Sequence, residues 1–270
     1  MNIQHVEARD LGDAWFQCLY RIIEQGSVFQ IDRGSYAGQK RLEFDWITIH
    51  VKNPGTRPLL PQIESHYNIP NPVADDYLDE YLPYLMTGEL KPGESYTYGS
   101  RMNKTPVGIL WAKHSLEEYK DILIQENEAW FNSINIDKET TEKFLSQVEL
   151  LIWTYKNKGH RNNQMILQVG QPTDMLLLDP PCLRHVDTRI QDGKLHFFPY
   201  FRSWDLWGGL PANLAGLQVM KEYIANEIGV KDGEMIASSK GLHLYDYSFD
   251  LAKCLRMRDD IKLKEGENNA

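Results

Sequence analysis

An Asp-Gly pair at positions 192 and 193 constrains the fold of this chain more than any other local feature. It separates two mainly extended segments, Leu183 to Gln191 and Lys194 to Trp204. Asp and Gly both accept the positive φ angles that a tight hairpin turn requires, so the sequence predicts an antiparallel hairpin here. Antiparallel pairing would then bring the residue before the first strand beside the end of the second.

The two ends of the predicted hairpin carry chemically active side chains. Cys182 precedes the first strand, while Arg202, Ser203 and Asp205 lie at the end of the second. A thiol, a guanidinium, a hydroxyl and a carboxylate in one neighbourhood are typical of a functional site, because an apolar core excludes such groups. The structural alternative is a buried cysteine with an exposed hairpin tip.

The residues around the hairpin also form a spaced pattern. Pro-Pro-Cys182 is followed by Arg202-Ser203-x-Asp205-x-x-Gly-Gly209-x-Pro211-x-Asn213 and then by His243-Leu244-Tyr245. This pattern resembles the signature of the thymidylate synthase family, which also contains the pyrimidine nucleotide hydroxymethylases. Three shorter matches follow the family's order: Asp32-Arg33 with its phosphate-binding loop, Glu80 with its helix-borne glutamate and Tyr98-Gly99 with its active-site tyrosine.

The resemblance implies a covalent mechanism on a pyrimidine ring. Cys182 would add as a thiolate at carbon 6 of the base, which turns carbon 5 into a nucleophile for a one-carbon unit. A cysteine thiol is mostly protonated near neutrality, so the positive charge of Arg202 would favour the thiolate. Glu80 and Tyr98 would transfer protons at the uracil oxygen and at carbon 5. Without the resemblance, the sequence around Glu80 favours a different interpretation, in which Glu80 is a solvent-exposed glutamate on a helix.

The resemblance also implies roles in substrate binding. Asn213 would contact the base, and its amide, which both donates and accepts, suits uracil better than cytosine. Asp205 and Gly209 would contact a reduced pterin. The phosphate would be bound by Arg33, Arg202 and Ser203, the sugar hydroxyl by His243 and Tyr245, and the phosphate of a second subunit by Arg161.

Some positions depart from the family pattern. Leu183 stands where the family has histidine, and the interval from Glu80 to Tyr98 is short and lacks the tryptophans that wall the folate pocket. Trp204 and Trp207 could supply an alternative wall. Only 25 residues follow Tyr245. These departures indicate a shortened, archaeal-like or phage-like member and leave the fate of the transferred carbon open.

Three functions follow from these observations. The leading hypothesis is a homodimeric thymidylate synthase that methylates dUMP, with 5,10-methylenetetrahydrofolate or a related methylene-tetrahydropterin as co-substrate and with no metal. The alternative is a 5-hydroxymethylase acting on dUMP, dCMP or CMP. A catalytically inactive nucleotide-binding homologue is the third. The residues leave open both the pterin and the choice between ribose and deoxyribose.

Composition limits the class of protein. A chain of 270 residues with 42% hydrophobic residues can form one large core, so we expect a single domain over residues 1–270. Together with the resemblance, the segments predict an α+β fold with a large mixed sheet flanked by helices. The net charge of -9 argues against a nucleic-acid-binding surface. Three widely spaced cysteines and the lack of a leader or a long apolar run predict a cytoplasmic protein without membrane spans.

Periodicity predicts the remaining elements. Cys18 and Cys254 are expected in the core, and a bulge near Trp46 is expected in the strand that contains it. Helices are predicted over Asp10–Gln25, Asp75–Met86, 115–131, 137–153 and Tyr247–Met257, and a further one from near Asn213. Strands are predicted over Leu42–Val51, Met165–Val169 and Met175–Leu178, and a frayed tail over Lys262–Ala270.

Overall fold

Two mixed β-sheets and the helices packed on them build the fold. The structure, a computed structural model, describes residues 1–32, 36–106, 129, 144–258 and 261–265. The α-helices are α1 (Leu11–Gln25), α2 (Tyr77–Met86), α3 (Tyr98–Asn103), α4 (Gln147–Lys158), α5 (Gly209–Ile228) and α6 (Phe249–Leu255). The strands are β1 (Ile3–Ala8), β2 (Ser27–Gln30), β3 (Lys40–Glu43), β4 (Trp46–Val51), β5 (Thr105–Pro106), β6 (Phe144–Leu145), β7 (Ile166–Gln168), β8 (Leu183–Gln191), β9 (Lys194–Phe201), β10 (Trp204–Asp205), β11 (Lys231–Ser239), β12 (Leu242–Tyr245) and β13 (Lys264–Glu265).

The larger sheet has six strands in the order β1-β4-β11-β9-β8-β7. The pairs β1 with β4 and β9 with β11 are parallel, and the other neighbours are antiparallel. Helix α1 packs on β1 and β4, and α5 packs on β9 and β11. This arrangement confirms the predicted α+β class with a large mixed sheet flanked by helices.

The second sheet has five strands in the order β10-β12-β3-β2-β13. The predicted single strand over Leu42–Val51 with a bulge near Trp46 is wrong, because β3 ends at Glu43 in this sheet and β4 begins at Trp46 in the larger one. Leu42 and Ile47 are both fully buried. The change of phase in the sequence therefore marks the passage of the chain from one sheet to the other.

The predicted hairpin is confirmed, although its second strand ends at Phe201 and not at Trp204, which belongs to β10 of the second sheet. Strands β8 and β9 pair antiparallel from Leu183 opposite Phe201 to Gln191 opposite Lys194. Asp192 and Gly193 form the turn with φ angles of 52° and 69°, as a two-residue turn with both φ positive requires.

One face of the larger sheet forms the main core. Strand β9 shows the alternation clearly, since Leu195 and Phe197 are buried while Tyr200 is half-buried on the other face. Cys18 of α1 is fully buried, as predicted. On the other face, Tyr200 contacts Trp46 and His185 with ring centroids 5.7 Å and 5.6 Å away. These aromatic rings remain partly accessible to solvent in the described part of the chain.

Several predicted elements differ from the structure near Cys182. Met175–Leu178 is not a strand: residues Pro172–Leu176 form a 3₁₀ helix, and Met175 and Leu178 are exposed. The Asp174 side chain in this 3₁₀ helix is buried and accepts hydrogen bonds from Arg101 and Arg184. Helix α5 begins at Gly209, four residues before the predicted start, because the side chain of Asp205 caps its first turn.

Other differences lie farther from the hairpin. Cys254 is exposed, because α6 is only seven residues long and buries Ala252 and Leu255 instead. The predicted tail is paired at Lys264–Glu265, which lie parallel to Ser27–Val28. Of the two central predicted helices, 115–131 lies outside the described residues apart from Ala129. The second predicted helix, 137–153, is described only from residue 144. There the chain forms a two-residue strand at Phe144–Leu145, and helix α4 begins at Gln147, where Ser146 caps it.

Within the described ranges, no helix combines the length and the apolar character needed to cross a bilayer.

Candidate active site

Cys182 lies at the entrance to β8, directly after two prolines. Its backbone carbonyl accepts a hydrogen bond of 2.8 Å from the N–H of Arg202. The hairpin thus brings these two residues together, as the sequence predicts. Burial raises the pKa of the Cys182 thiol, and the Arg202 guanidinium is the strongest of the charges that lower it. The free protein therefore holds Cys182 as a thiol near neutral pH.

Arg202 ties the loop before Cys182 to the end of β9. Its Nη2 donates to the Asp179 carboxylate at 3.1 Å and to the carbonyl of Pro180 at 2.5 Å, and its Nε lies 3.3 Å from the carbonyl of Pro181. The neighbouring Ser203 is half-buried, and its hydroxyl makes no hydrogen bond within the described residues. Arg33, the other predicted phosphate ligand, lies outside the described residues.

Tyr98 reaches the same place from α3. Thr97 and Ser100 form a reciprocal capping box that starts this short helix, which positions the phenol at its first turn. The Tyr98 hydroxyl accepts a hydrogen bond of 3.3 Å from the N–H of Leu183. Burial raises the pKa of Tyr98 well above its usual value. The phenol therefore keeps its proton beside the residue that follows Cys182.

Asn213 lies on α5 with its amide fixed by two partners. Its Oδ1 accepts a hydrogen bond of 3.0 Å from the indole N–H of Trp204, and its Nδ2 donates to the Tyr81 hydroxyl at 2.8 Å. One N–H and one lone pair of the amide remain for another partner. Sequence reasoning did not identify Tyr81, although it directly follows Glu80.

A cavity of about 440 Å³ opens between α2, α3 and the start of α5. Glu80, Tyr98 and Asn213 all line it, so the structure brings these three predicted site residues to one space. Glu80 is exposed and lies on its wall. Tyr77, Tyr81, Pro83, Tyr84, Thr87, Glu89, Leu90, Lys91, Glu94 and Thr97 complete the lining.

Tyrosines rather than tryptophans form the aromatic wall of this cavity. Tyr81 stacks between Tyr77 and Tyr84, with ring centroids 5.9 Å and 5.7 Å away. Spacings of four and three residues place them on one side of α2, which is a signal present in the sequence. The suggested wall of Trp204 and Trp207 is wrong, because both indoles are buried and neither lines the cavity.

These two indoles instead pack in the interior. Trp204 stacks on Phe201 with ring centroids 4.0 Å apart, and Trp207 packs edge-on against Trp15 at 5.5 Å. Aromatic rings of this size contribute most when they are removed from water, which accounts for their position in the core.

Asp205 caps helix α5. Its carboxylate accepts hydrogen bonds from the backbone N–H groups of Trp207, Gly208 and Gly209 at 3.2, 3.0 and 2.8 Å. A carboxylate can accept about four hydrogen bonds, so one acceptor position remains. A Cβ at Gly209 would lie 3.2 Å from the Cβ of Asp205, so this close approach favours glycine.

His243 and Tyr245 lie on one side of β12, and His243 pairs with Asp205 in the parallel β10–β12 ladder. The buried His243 ring donates through Nδ1 to the Gly241 carbonyl at 3.0 Å, and its Nε2 has no partner among the described residues. Burial lowers the pKa of His243. Tyr245 stacks on Tyr36 at 4.4 Å, and burial raises the pKa of Tyr245 to about 12.

Arg161 lies apart from these residues. It is exposed and lines a separate surface groove of about 400 Å³ together with Arg189, Asn162 and Asn163. Within one chain, the structure therefore does not bring Arg161 to the cavity near Cys182.

Comparison with known proteins identifies the family. The family model for thymidylate synthase matches residues 76–265, which include Cys182 and the whole hairpin. The chain belongs to the thymidylate synthase family.

Thymidylate synthase relatives align over most of the chain. Proteins named "Putative thymidylate synthase" from Methanosarcina barkeri and Methanothermobacter thermautotrophicus are 27% and 22% identical over 92% of this chain, and these matches cover 92% and 96% of their own lengths. A thymidylate synthase from Listeria monocytogenes is 25% identical over 70% of this chain and 60% of its own length. The two longer matches support the expected shortened, archaeal-type member of the family.

Proposed function

We propose that the protein is a thymidylate synthase that methylates dUMP at carbon 5, with Cys182 as the nucleophile. The observation that carries this proposal is the placement of three groups at the start of the hairpin: the Cys182 carbonyl accepts from the backbone N–H of Arg202, and the Tyr98 hydroxyl accepts from the N–H of Leu183, the residue after Cys182. A thiol, a fixed cation and a buried phenol from different elements are the groups that addition to a pyrimidine requires.

The first step forms a bond between the Cys182 sulfur and carbon 6 of uracil. The electron pair of the ring double bond moves toward the carbonyl oxygen, and carbon 5 then attacks the methylene carbon of the pterin as one of its two carbon–nitrogen bonds breaks. Loss of the proton on carbon 5 and cleavage of the second carbon–nitrogen bond release the tetrahydropterin and leave an exocyclic methylene. Hydride transfer from the tetrahydropterin reduces it to a methyl group, and release of the thiolate yields dTMP and dihydropterin.

The surrounding residues suit the charges that develop in these steps. The free N–H and lone pair of Asn213 match the carbonyl and the ring N–H of uracil. Tyr98 is the proposed proton carrier at carbon 5, and its raised pKa supports transfer rather than permanent ionisation. Glu80, on the wall of the same cavity, is the proposed partner of the uracil oxygen.

The nucleotide's sugar and phosphate also have proposed partners. The unpartnered Nε2 of His243 and the hydroxyl of Tyr245 support binding of the sugar. Arg202, Ser203 and Arg33 are the proposed phosphate ligands. A phosphate would replace the Asp179 carboxylate on Arg202 with a stronger, bidentate acceptor.

The co-substrate proposed for the cavity is methylenetetrahydrofolate or a related methylene-tetrahydropterin. A volume of about 440 Å³ lies in the range of small-molecule sites, and the stacked tyrosines of α2 offer faces to a flat ring. Asp205 and Gly209, which are not among the residues that line this cavity, are the further proposed pterin contacts, because Asp205 has one remaining acceptor position for a pterin N–H and Gly209 allows close approach. The bound pterin supplies the one-carbon unit and the hydride.

We also propose that residues 1–270 form one catalytic domain and that two copies form a cytoplasmic homodimer, with Arg161 serving the partner's phosphate site. One continuous hydrophobic core supports the single domain. The partly accessible aromatic face of the larger sheet and the exposed run Met175–Leu178 support a second copy, because monomers rarely leave such apolar areas open. The net charge of -9 supports a small anionic substrate held locally rather than a nucleic acid.

The hydroxymethylase alternative is favoured by one observation. The wall of the cavity carries Glu80, Glu89, Lys91 and Glu94, and Glu80 is exposed, so water can approach the proposed methylene intermediate. Water in place of hydride would give a hydroxymethyl group and leave the pterin as the tetrahydro form.

The test is to incubate the protein with dUMP and methylenetetrahydrofolate, and to measure the product mass and the oxidation state of the pterin. We expect a methyl product with one dihydropterin per turnover. Cys182→Ser should abolish turnover but retain nucleotide binding, whereas Cys254→Ser, at an exposed thiol, should behave as wild type. A hydroxymethyl product without pterin oxidation would establish the alternative. Normal turnover by Cys182→Ser would remove Cys182 as the nucleophile, and binding without turnover by the wild type would indicate an inactive homologue.

A further inference from the structure

A buried carboxylate outside the cavity is bound by two arginines. Asp174, only 1% exposed, accepts a hydrogen bond from Arg101 Nη2 at 2.9 Å and another from Arg184 Nη1 at 2.9 Å. The N–H of Gln171 also donates to it at 2.8 Å. Burying charged groups costs several kcal/mol per ion unless their geometry and further hydrogen bonds compensate, so this cluster of three charges needs an explanation beyond stability.

Arg184 connects this cluster to the nucleophile loop. It lies two residues after Cys182, and its Nη1 also lies 3.4 Å from the carbonyl of Pro181. The same carbonyl accepts from Arg202 Nε at 3.3 Å. The carbonyl of Pro181, directly before Cys182, therefore lies between two guanidinium groups, one from β8 and one from the residue that follows β9.

The guanidinium of Arg184 has little freedom to move. A Cβ at Gly170 would lie 2.6 Å from its Nη2, so the backbone of Gly170 packs against it directly. On the other side of Asp174, the guanidinium of Arg101 lies 5.2 Å from the ring centre of Tyr96, whose hydroxyl donates to the Asp179 carbonyl at 3.2 Å. The cluster is thus attached to the loop before Cys182 at two points.

We propose that Arg184, held by Asp174, is a positioning residue that fixes Cys182 and supplies positive charge that stabilises its thiolate. Arg202 cannot serve this purpose alone in the proposed reaction, because a bound phosphate dianion would offset its charge. Asp174 offsets only one of the two guanidinium charges of Arg101 and Arg184, so the cluster keeps a net positive charge beside the loop before Cys182. The inference rests on the proposed role of Cys182 as the nucleophile.

The charges around the thiol agree with this role. Burial raises the pKa of Cys182, and Arg202 and Arg184 lower it while Asp179 and Asp205 raise it. The tyrosines near the thiol are Tyr81, Tyr84, Tyr96, Tyr98 and Tyr245, and burial raises the pKa of each. These phenols stay neutral where the thiol would titrate, so removal of Arg184 should appear in the thiol's own pH profile.

The test measures alkylation of Cys182 by iodoacetamide as a function of pH, in a Cys254→Ser background and without substrates. Arg184→Gln and Arg184→Met, which both lack the charge, should move the midpoint of the profile upward by about half a unit or more. Arg184→Lys keeps the charge and should stay close to the parent. Arg101→Gln is the matched control, because Arg101 binds the same carboxylate but makes no side-chain hydrogen bond to the Cys182 loop within the described residues.

An unchanged midpoint in both uncharged variants would overturn the proposal, as would an equal shift in Arg101→Gln. Arg184→Met keeps an apolar stem against Gly170, which provides a second uncharged variant if Arg184→Gln folds poorly.

For turnover, Arg184→Lys should lower kcat about tenfold with little change in the KM for nucleotide, since it keeps the charge but loses the forked geometry. A raised KM with unchanged kcat would contradict a positioning role. The alkylation profile needs no turnover, so its outcome is separate from that of the Cys182→Ser test of the proposed function.

Discussion

The hydroxyl of Tyr98 and the backbone N–H of Leu183 form a hydrogen bond of 3.3 Å that joins helix α3 to the strand beginning after Cys182. Both groups are buried. The contact links a residue of the proposed proton-transfer machinery to the backbone that carries the proposed nucleophile. Its removal should therefore affect both stability and catalysis.

Tyr98→Phe is expected to lower kcat by on the order of tenfold to a hundredfold, because the proton carrier at carbon 5 is lost. It should also lower the free energy of unfolding by about 1 kcal/mol, since the Leu183 N–H is left unpaired. Tyr155→Phe is the matched control, because its hydroxyl contacts Thr188 at 2.9 Å, away from the cavity. Equal losses of kcat in the two variants would argue against a chemical role for Tyr98.

Asn213→Asp is expected to reduce the use of dUMP and improve the use of dCMP or CMP, because the carboxylate accepts from the cytosine amino group. The change in the ratio of kcat/KM values should be on the order of a hundredfold, as expected when the wrong base leaves buried polar groups unpaired. Tyr81→Phe removes the partner of the Asn213 Nδ2 and should lower kcat/KM without inverting the preference. An unchanged ratio in Asn213→Asp would show that this amide does not face the base.

Gly99→Ala is expected to destabilise the protein by more than about 2 kcal/mol, because overpacking against backbone cannot be relieved by side-chain motion. The added Cβ would lie 2.1 Å from the Thr87 carbonyl and 2.7 Å from that of Tyr84. Gly12→Ala in α1 is the control, since its nearest contact is an ordinary 3.5 Å and alanine favours a helix. Denaturant unfolding of both variants is the measurement, and similar midpoints would contradict the close packing of α2 and α3.

The stability of the fold should fall as the pH drops below about 6.5, in part through His243. Burial lowers the pKa of His243 in the folded protein, so the unfolded chain binds the proton more readily in this range. This contribution is fully present above the usual histidine pKa and declines toward acid, with a slope of at most about 1.4 kcal/mol per pH unit. His243→Gln should flatten the acid side of the stability curve more than His185→Gln, at a half-buried histidine whose pKa burial also lowers. A curve unchanged by His243→Gln would refute this assignment.

Mixing Arg161→Ala protein with Cys182→Ala protein is expected to restore activity if Arg161 serves the partner's site. Random exchange of subunits should give up to about one quarter of the wild-type activity, from the single intact site in each hybrid dimer. A mixture of Cys182→Ala and Cys182→Ser proteins should remain inactive. With subunit exchange verified by mass, an inactive first mixture would indicate that each site is built from one chain.

The elements that the sequence predicted well depend on local chemistry. The Asp192-Gly193 turn accepts positive φ angles without help from distant residues, so both strands of the hairpin have the predicted boundaries apart from the last residues of β9. Asp10 caps α1, and the apolar spacing of that helix places Cys18 in the core. The motif residues with fixed spacing also determined the family, which the comparison confirmed.

The tertiary structure decided which side chains face the cavity and which are buried. Trp204 and Trp207 lie within two residues of Asp205 in sequence but pack inward, whereas Tyr77 and Tyr81 reach the cavity from a helix more than a hundred residues away. The exposure of Cys254 and the passage from Glu43 to Trp46 between two sheets likewise depend on partners from other parts of the chain. Turn and capping preferences act through neighbouring backbone groups and are present in the sequence. The choice of which apolar side chain leaves water depends on the free energy of packing whole elements together, and only the assembled fold determines it.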